Sequence, residues 1–212
     1  MKKKKGTAYN EIAGQSIERL AGLSDGIFAV AMTVLVLDLH LPSVESIHSE
    51  SDLWRALIRL SPQVGVFAMS LLTLSIFWVG QQTQFNYCSK ADRNFTWIHI
   101  TFLLAVLIMP FSTKLLATFI TYRIAFAIYW VNMVALGILV YVSWNYVVKH
   151  LHAKTVLLHD ISTAIKKRII IAQSLYAFGA LLCLVNTYWS LGFILLVQLN
   201  YAIAPKFSRR LG

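Results

Sequence analysis

Apolar residues in this chain gather in six runs, each bounded by a short polar or charged stretch. A helix rising 1.5 Å per residue needs about 20 apolar residues to cross roughly 30 Å of hydrocarbon. The runs near residues 20–41, 55–80, 95–119, 124–147, 169–187 and 190–205 meet that length or approach it. They predict an all-α integral membrane protein with six transmembrane helices per chain. Only Asn186, Thr187, Tyr188, Trp189 and Ser190 part the last two runs, so these predict either a tight hairpin of two helices or one re-entrant unit. Pro62 and Pro110 fall inside runs and predict kinks in the second and third helices.

Composition narrows the class. Of the 212 residues 58% are hydrophobic and 13% charged, against roughly 45–50% and about 25% in soluble domains, which excludes an ordinary soluble enzyme. A net charge of +10 is compatible with nucleic-acid binding until its placement is considered. Lys2 to Lys5, Arg19, Lys90, Arg93, Lys149, Lys154, Lys166 to Arg168, Lys206, Arg209 and Arg210 put 15 of the 19 Lys and Arg on one side of a six-span arrangement. Basic loops mark the cytoplasmic side. Arg55, Arg59, Lys114 and Arg123 fall on the other. The expectation is a multi-pass protein of the plasma membrane with both termini in the cytoplasm and no nucleic-acid partner. Residues 1–18 form a basic N-terminal segment, 19–206 the six-helix domain and 207–212 a basic tail. The first run continues through Val34 to Leu37 without a small-residue cleavage site, so it is read as staying in the membrane. Cys88 and Cys183 are read as buried or bilayer-level thiols, and Trp54, Trp97, Trp144 and Trp189 as interfacial anchors near the run ends.

Ionisable groups within a span are costly and face a bundle interior or water, which singles out Arg19, Ser24 and Asp25 in the first run. Arg19 and Asp25 are six residues apart, so they do not share a helix face and each is expected to meet a neighbouring helix. Gly22 and Gly26 form a small-xxx-small pair that lets backbones approach closely. Val30, Thr33, Val34 and Leu37 follow the spacing of one helical face. On spacing alone that face is lipid-facing or core. Asp38 is read as an interfacial acid, or else as part of a cation-attracting ring.

The segment Arg19-Leu-Ala-Gly-Leu-Ser-Asp-Gly26 resembles the R-x-x-x-F-S-D signature of the transmembrane-protein-175 family of potassium channels, with Leu23 in place of Phe. Ser75-Ile-Phe-Trp-Val-Gly-Gln-Gln-Thr-Gln-Phe85 is similar to the family's F-W-x-N-H-H-x-x-F stretch, with Gly80, Gln81 and Gln82 in place of Asn and two His. Met109-Pro-Phe-Ser-Thr-Lys114 resembles its L-P-F-S-T motif. The resemblance implies a homotetramer of the single-unit bacterial type, with helix 1 of each copy lining a central pore and potassium ions as the permeant species. Val30 would then be an apolar constriction and Thr33 a hydroxyl ring, with Val34 and Leu37 as further lining. Trp78, Gln81 and Gln82 would brace Arg19, Ser24 and Asp25.

No T-V-G-Y-G-like loop is present to replace an ion's hydration shell with backbone carbonyls. Selectivity would therefore rest on dehydration at an apolar ring, which costs potassium less than the more tightly hydrated sodium. The chain shows no ladder of regularly spaced Arg for voltage sensing. A secondary transporter, the alternative, would need charged residues at depth on broken helices. An enzyme would need a nucleophile or metal cluster. His150, His152, His159 and Asp160 form a weak metal candidate, while His99, Asn132, Gln198 and Asn200 read more simply as interhelical hydrogen-bonding groups. No cofactor is expected.

Overall fold

The computed structural model describes residues 16–39, 43, 45, 47–88, 90–150 and 158–203. They form six helices: α1 Ile17–Leu37, α2 Glu50–Asn86, α3 Arg93–Thr118, α4 Arg123–His150, α5 Leu158–Leu182 and α6 Thr187–Ile203. Polar caps start the first three. Ser16 accepts from the Arg19 amide, Ser49 from that of Asp52 and Asp92 from that of Phe95, satisfying donors that have no partner within the helix. α2 and α3 run unbroken through Pro62 and Pro110.

Helices α1 to α4 are each long and apolar enough to cross a membrane. α5 begins well before the expected run and carries Lys166, Lys167 and Arg168 within its length. It also stops earlier, because residues 183–186 form the turn into α6. The α5–α6 pair is thus a tight hairpin, in which the Asn186 amide bonds the Leu182 carbonyl and the Ser190 hydroxyl donates to the Gly179 carbonyl at 2.6 Å. At Gly179 the Ile194 side chain stands 2.8 Å from where a Cβ would lie, so the close crossing requires glycine.

α1 packs chiefly against α2 and α3, α3 against α4, α2 against α6, and α5 against α4 and α6. The main core joins Phe28, Ala31 and Leu35 of α1 to Leu74, Phe102, Val106, Tyr129 and Leu136. Its centre holds a polar cluster: Thr113 donates to Ser70 at 2.8 Å, Ser70 to Tyr129 at 3.2 Å and Gln198 to Thr73 at 2.6 Å. In an apolar surround such groups must satisfy one another, so the Ser112-Thr113 motif and Gln198 tie α2, α3, α4 and α6 together. Cys88 and Cys183 are both buried. Trp54, Trp97 and Trp189 are exposed, but Trp144 is fully buried and donates to the Ser162 hydroxyl at 3.2 Å. The expectation that Trp144 anchors at the interface is corrected: it joins α4 to α5 beside a second cluster of Leu20, Phe85 and Phe95.

Candidate functional site

One face of α1 is committed to its own chain. Leu20, Ser24, Phe28, Ala31 and Leu35 recur every three or four residues and are buried against α2 and α3. Ser24 and His99 of α3 are each about 1% exposed, with the serine hydroxyl 2.6 Å from His99 Nε2. The Gln81 amide nitrogen reaches both, at 2.7 Å from Ser24 Oγ and 3.1 Å from His99 Nε2. With Nε2–H as the donor, Ser24 Oγ accepts from His99 and from Gln81, and its own proton goes to the Leu20 carbonyl 2.9 Å away. One residue on, Asp25 Oδ1 accepts from Trp78 Nε1 at 2.8 Å and from Gln82 Nε2 at 2.9 Å. A carboxylate with two side-chain donors on one neighbouring helix sets the rotation of α1 about its own axis.

The structure therefore brings Ser24, Asp25, Trp78, Gln81 and Gln82 into contact and adds His99, which sequence reasoning placed outside this group. The signal was present, since a lone histidine in an apolar run needs a polar partner at its own depth. Arg19 departs from expectation. It is exposed, and among the described residues its guanidinium bonds none of these groups. Arg19 lies roughly 120° round the helix from Asp25, so when Asp25 faces α2, Arg19 faces away.

The opposite face of α1 is uncovered. Val30 is 55% exposed, Val34 37% and Leu37 81%, and Thr33 is exposed between them. Among the described residues, a Cβ added at Gly22 or Gly26 would meet nothing outside its own stretch of α1 within 4 Å. Val34 is the least exposed of the three apolar residues and marks the edge of the stripe, whereas Thr33 lies nearest its middle, opposite the buried Ser24 and Leu35. The Thr33 hydroxyl donates to the Val30 carbonyl at 2.8 Å, so its one proton is occupied and its lone pairs remain available outward. Past the end of the stripe, Asp38 pairs with Lys114 of α3 at 2.7 Å.

Among the described residues no group of three His, Cys, Asp or Glu is placed to hold a metal. His152, part of the weak metal candidate, lies outside the described residues, as do nearly all of the 1–18 segment and the 207–212 tail. An uncharged, largely apolar stripe with one hydroxyl, held in fixed rotation by a polar network behind it, has no group for covalent or acid–base chemistry. What it leaves uncovered is an apolar surface carrying one hydroxyl.

Residues 19–110 match the family model described as endosomal/lysosomal potassium channel TMEM175. A potassium channel of Streptomyces collinus is 30% identical over 130 residues, which cover 59% of this chain and 62% of that protein, so the match spans less than two thirds of that relative's length. A potassium channel of Chamaesiphon minutus is 26% identical over 190 residues, covering 87% of this chain and 93% of the relative. In three dimensions the chain is similar to a crystal structure of a lysosomal potassium-selective channel TMEM175 homolog from Chamaesiphon minutus. That match has a TM-score of 0.76 and 24% identity, covers 88% of this chain and 96% of that one, and shows the fold. The matched segment contains α1 with its signature, the bracing stretch of α2 and the start of the α3 motif, and over it the chain is similar to the TMEM175 family.

Proposed function

We propose that four copies of this chain assemble about a common axis as a potassium-selective channel of the plasma membrane, with α1 of each copy at the centre and both termini cytoplasmic. The observation that carries this reading is the uncovered stripe of α1: its glycines permit close approach, and the charges beside it are turned away or paired. The names of the bacterial relatives supply the ion. On the axis, Val30 repeats as an apolar ring that forces partial dehydration. Potassium, holding its water less tightly, crosses at lower cost than sodium. Four Thr33 oxygens about one turn further along accept the partly stripped ion, and Leu37, flanked by Val34, forms an outer apolar layer. Asp38, engaged by Lys114, is set aside as a cation-attracting ring.

The first test is ion flux from liposomes holding the purified protein. Potassium should run down its gradient at rates above about 10⁵ ions per second per oligomer, far beyond the usual enzyme-like turnover of about 1–10³ per second, and sodium much more slowly. Flux at carrier-like turnover, or flux that requires a co-transported ion, would replace the channel with the transporter reading.

A further inference from the structure

α2, α5 and α6 enclose two adjoining cavities that the pore reading does not use. One has about 730 Å³ of open space and runs between α2, α4 and α5. The other has about 1120 Å³ and runs between α2 and the end of α6. Ile76, Val79, Arg168 and Tyr201 line both, so the two form one groove. Neither wall contains an Asp or Glu. Arg168 holds its guanidinium carbon 5.4 Å from the centre of the Tyr201 ring and has no carboxylate partner among the described residues.

Depth identifies what such an arginine faces. Arg168 is ten residues along α5 from Leu158, about 15 Å up the helix. It meets Tyr201, two residues before the last residue of α6. Both therefore lie near the end of the bundle that carries most of the Lys and Arg, where hydrocarbon gives way to head groups. An arginine there extends its apolar stem along the groove wall and presents its charged tip at head-group level. Guanidinium matches phosphate through parallel N–H donors, and the cytoplasmic leaflet supplies anionic lipid.

We propose that this groove binds an anionic phospholipid, its phosphate on Arg168 and an acyl chain against Ile76 and Val79. The site needs the membrane orientation proposed above but not the pore. A second copy of the chain suits the groove less well, because it would have to bring a carboxylate. Of the described acids toward this end, Asp25 and Asp92 are already engaged within their own chain, which leaves Glu18 and Asp160 as those a second copy could bring.

Native mass spectrometry of the full-length oligomer, exposed to equal amounts of phosphatidylglycerol and phosphatidylcholine, tests the site without measuring current. Wild type should retain phosphatidylglycerol about fivefold over phosphatidylcholine, as one basic group at a charged leaflet provides. Arg168→Gln should bring that preference close to one. Val79→Trp, which fills the groove and leaves the charge, should do the same, and it serves alone if Arg168→Gln does not assemble. Lys167→Gln, on an exposed neighbouring position, should keep the preference. If both groove variants keep it, if Lys167→Gln loses it equally, or if the groove variants alter the oligomer while lipid stays bound, there is no lipid site here. A protein that binds lipid in this way but passes no ions would leave this inference standing and overturn the channel.

Discussion

In the proposed pore, Val30→Asn should collapse the potassium-to-sodium permeability ratio toward one. The valine side chain presents no oxygen, so an ion passing its ring sheds water without compensation, and the difference in dehydration cost between the two cations is fully felt. Four carboxamides in its place hydrate or coordinate either cation, which lowers the barrier for sodium more than for potassium. Thr33→Val acts on the same path by removing oxygens rather than adding them. It keeps the shape but removes lone pairs that the Thr33–Val30 hydrogen bond leaves open, so a partly stripped ion loses partners that offset its lost water. Potassium conductance and preference both fall. Bi-ionic reversal potentials of assembled wild type and variants read both effects. A ratio unchanged in both variants would move the selectivity position to another helix.

Gly26→Leu separates folding of the subunit from assembly. Among the described residues nothing outside its own stretch of α1 lies within 4 Å of a Cβ at Gly26, so the added side chain meets no neighbouring helix of the subunit there. Its unfolding midpoint in detergent should stay near wild type. In the proposed tetramer four leucines would crowd the axis, because small residues are what let helices approach closely in lipid. The oligomer fraction should fall at least about tenfold, a change of about 1.4 kcal/mol, seen by native mass spectrometry. Gly179→Leu provides the contrast, since Ile194 occupies that space and the α5–α6 hairpin itself should destabilise. Normal assembly of Gly26→Leu would mean that this face of α1 does not meet its copies.

Hydropathy located six helices because burial in lipid selects apolar residues whatever their tertiary partners. It misplaced α5 for a related reason. Hydropathy does not see a turn, so Cys183, Leu184 and Val185 count with the span, while Lys166 to Arg168 at the other end hide about three helical turns that do form. Trp144 was misread because an aromatic near a span end looks the same whether it meets lipid or Ser162. The α1 site was legible in part. Helical periodicity placed Val30, Thr33 and Leu37 together, but which face of α1 is covered depends on α2 and α3. Those contacts, with His99 entering from α3 and Arg19 turned outward, are tertiary facts that spacing within one helix does not contain. The substitutions at Gly80, Gln81 and Gln82 illustrate the same point: Gln81 and Gln82 still reach Ser24 and Asp25 through amide donors.

The central claim, that the uncovered stripe of α1 lines the ion path, is tested most directly by adding a thiol at its middle. Thr33→Cys channels in planar bilayers should carry single-channel currents that a water-soluble cationic methanethiosulfonate reagent abolishes. Wild type should be unaffected, because Cys88 and Cys183 are buried, and Phe28→Cys on the covered face should be equally insensitive. Full block of Thr33→Cys alone is the predicted result. Currents from Thr33→Cys that persist unchanged while the same reagent blocks a cysteine on another helix would contradict the account.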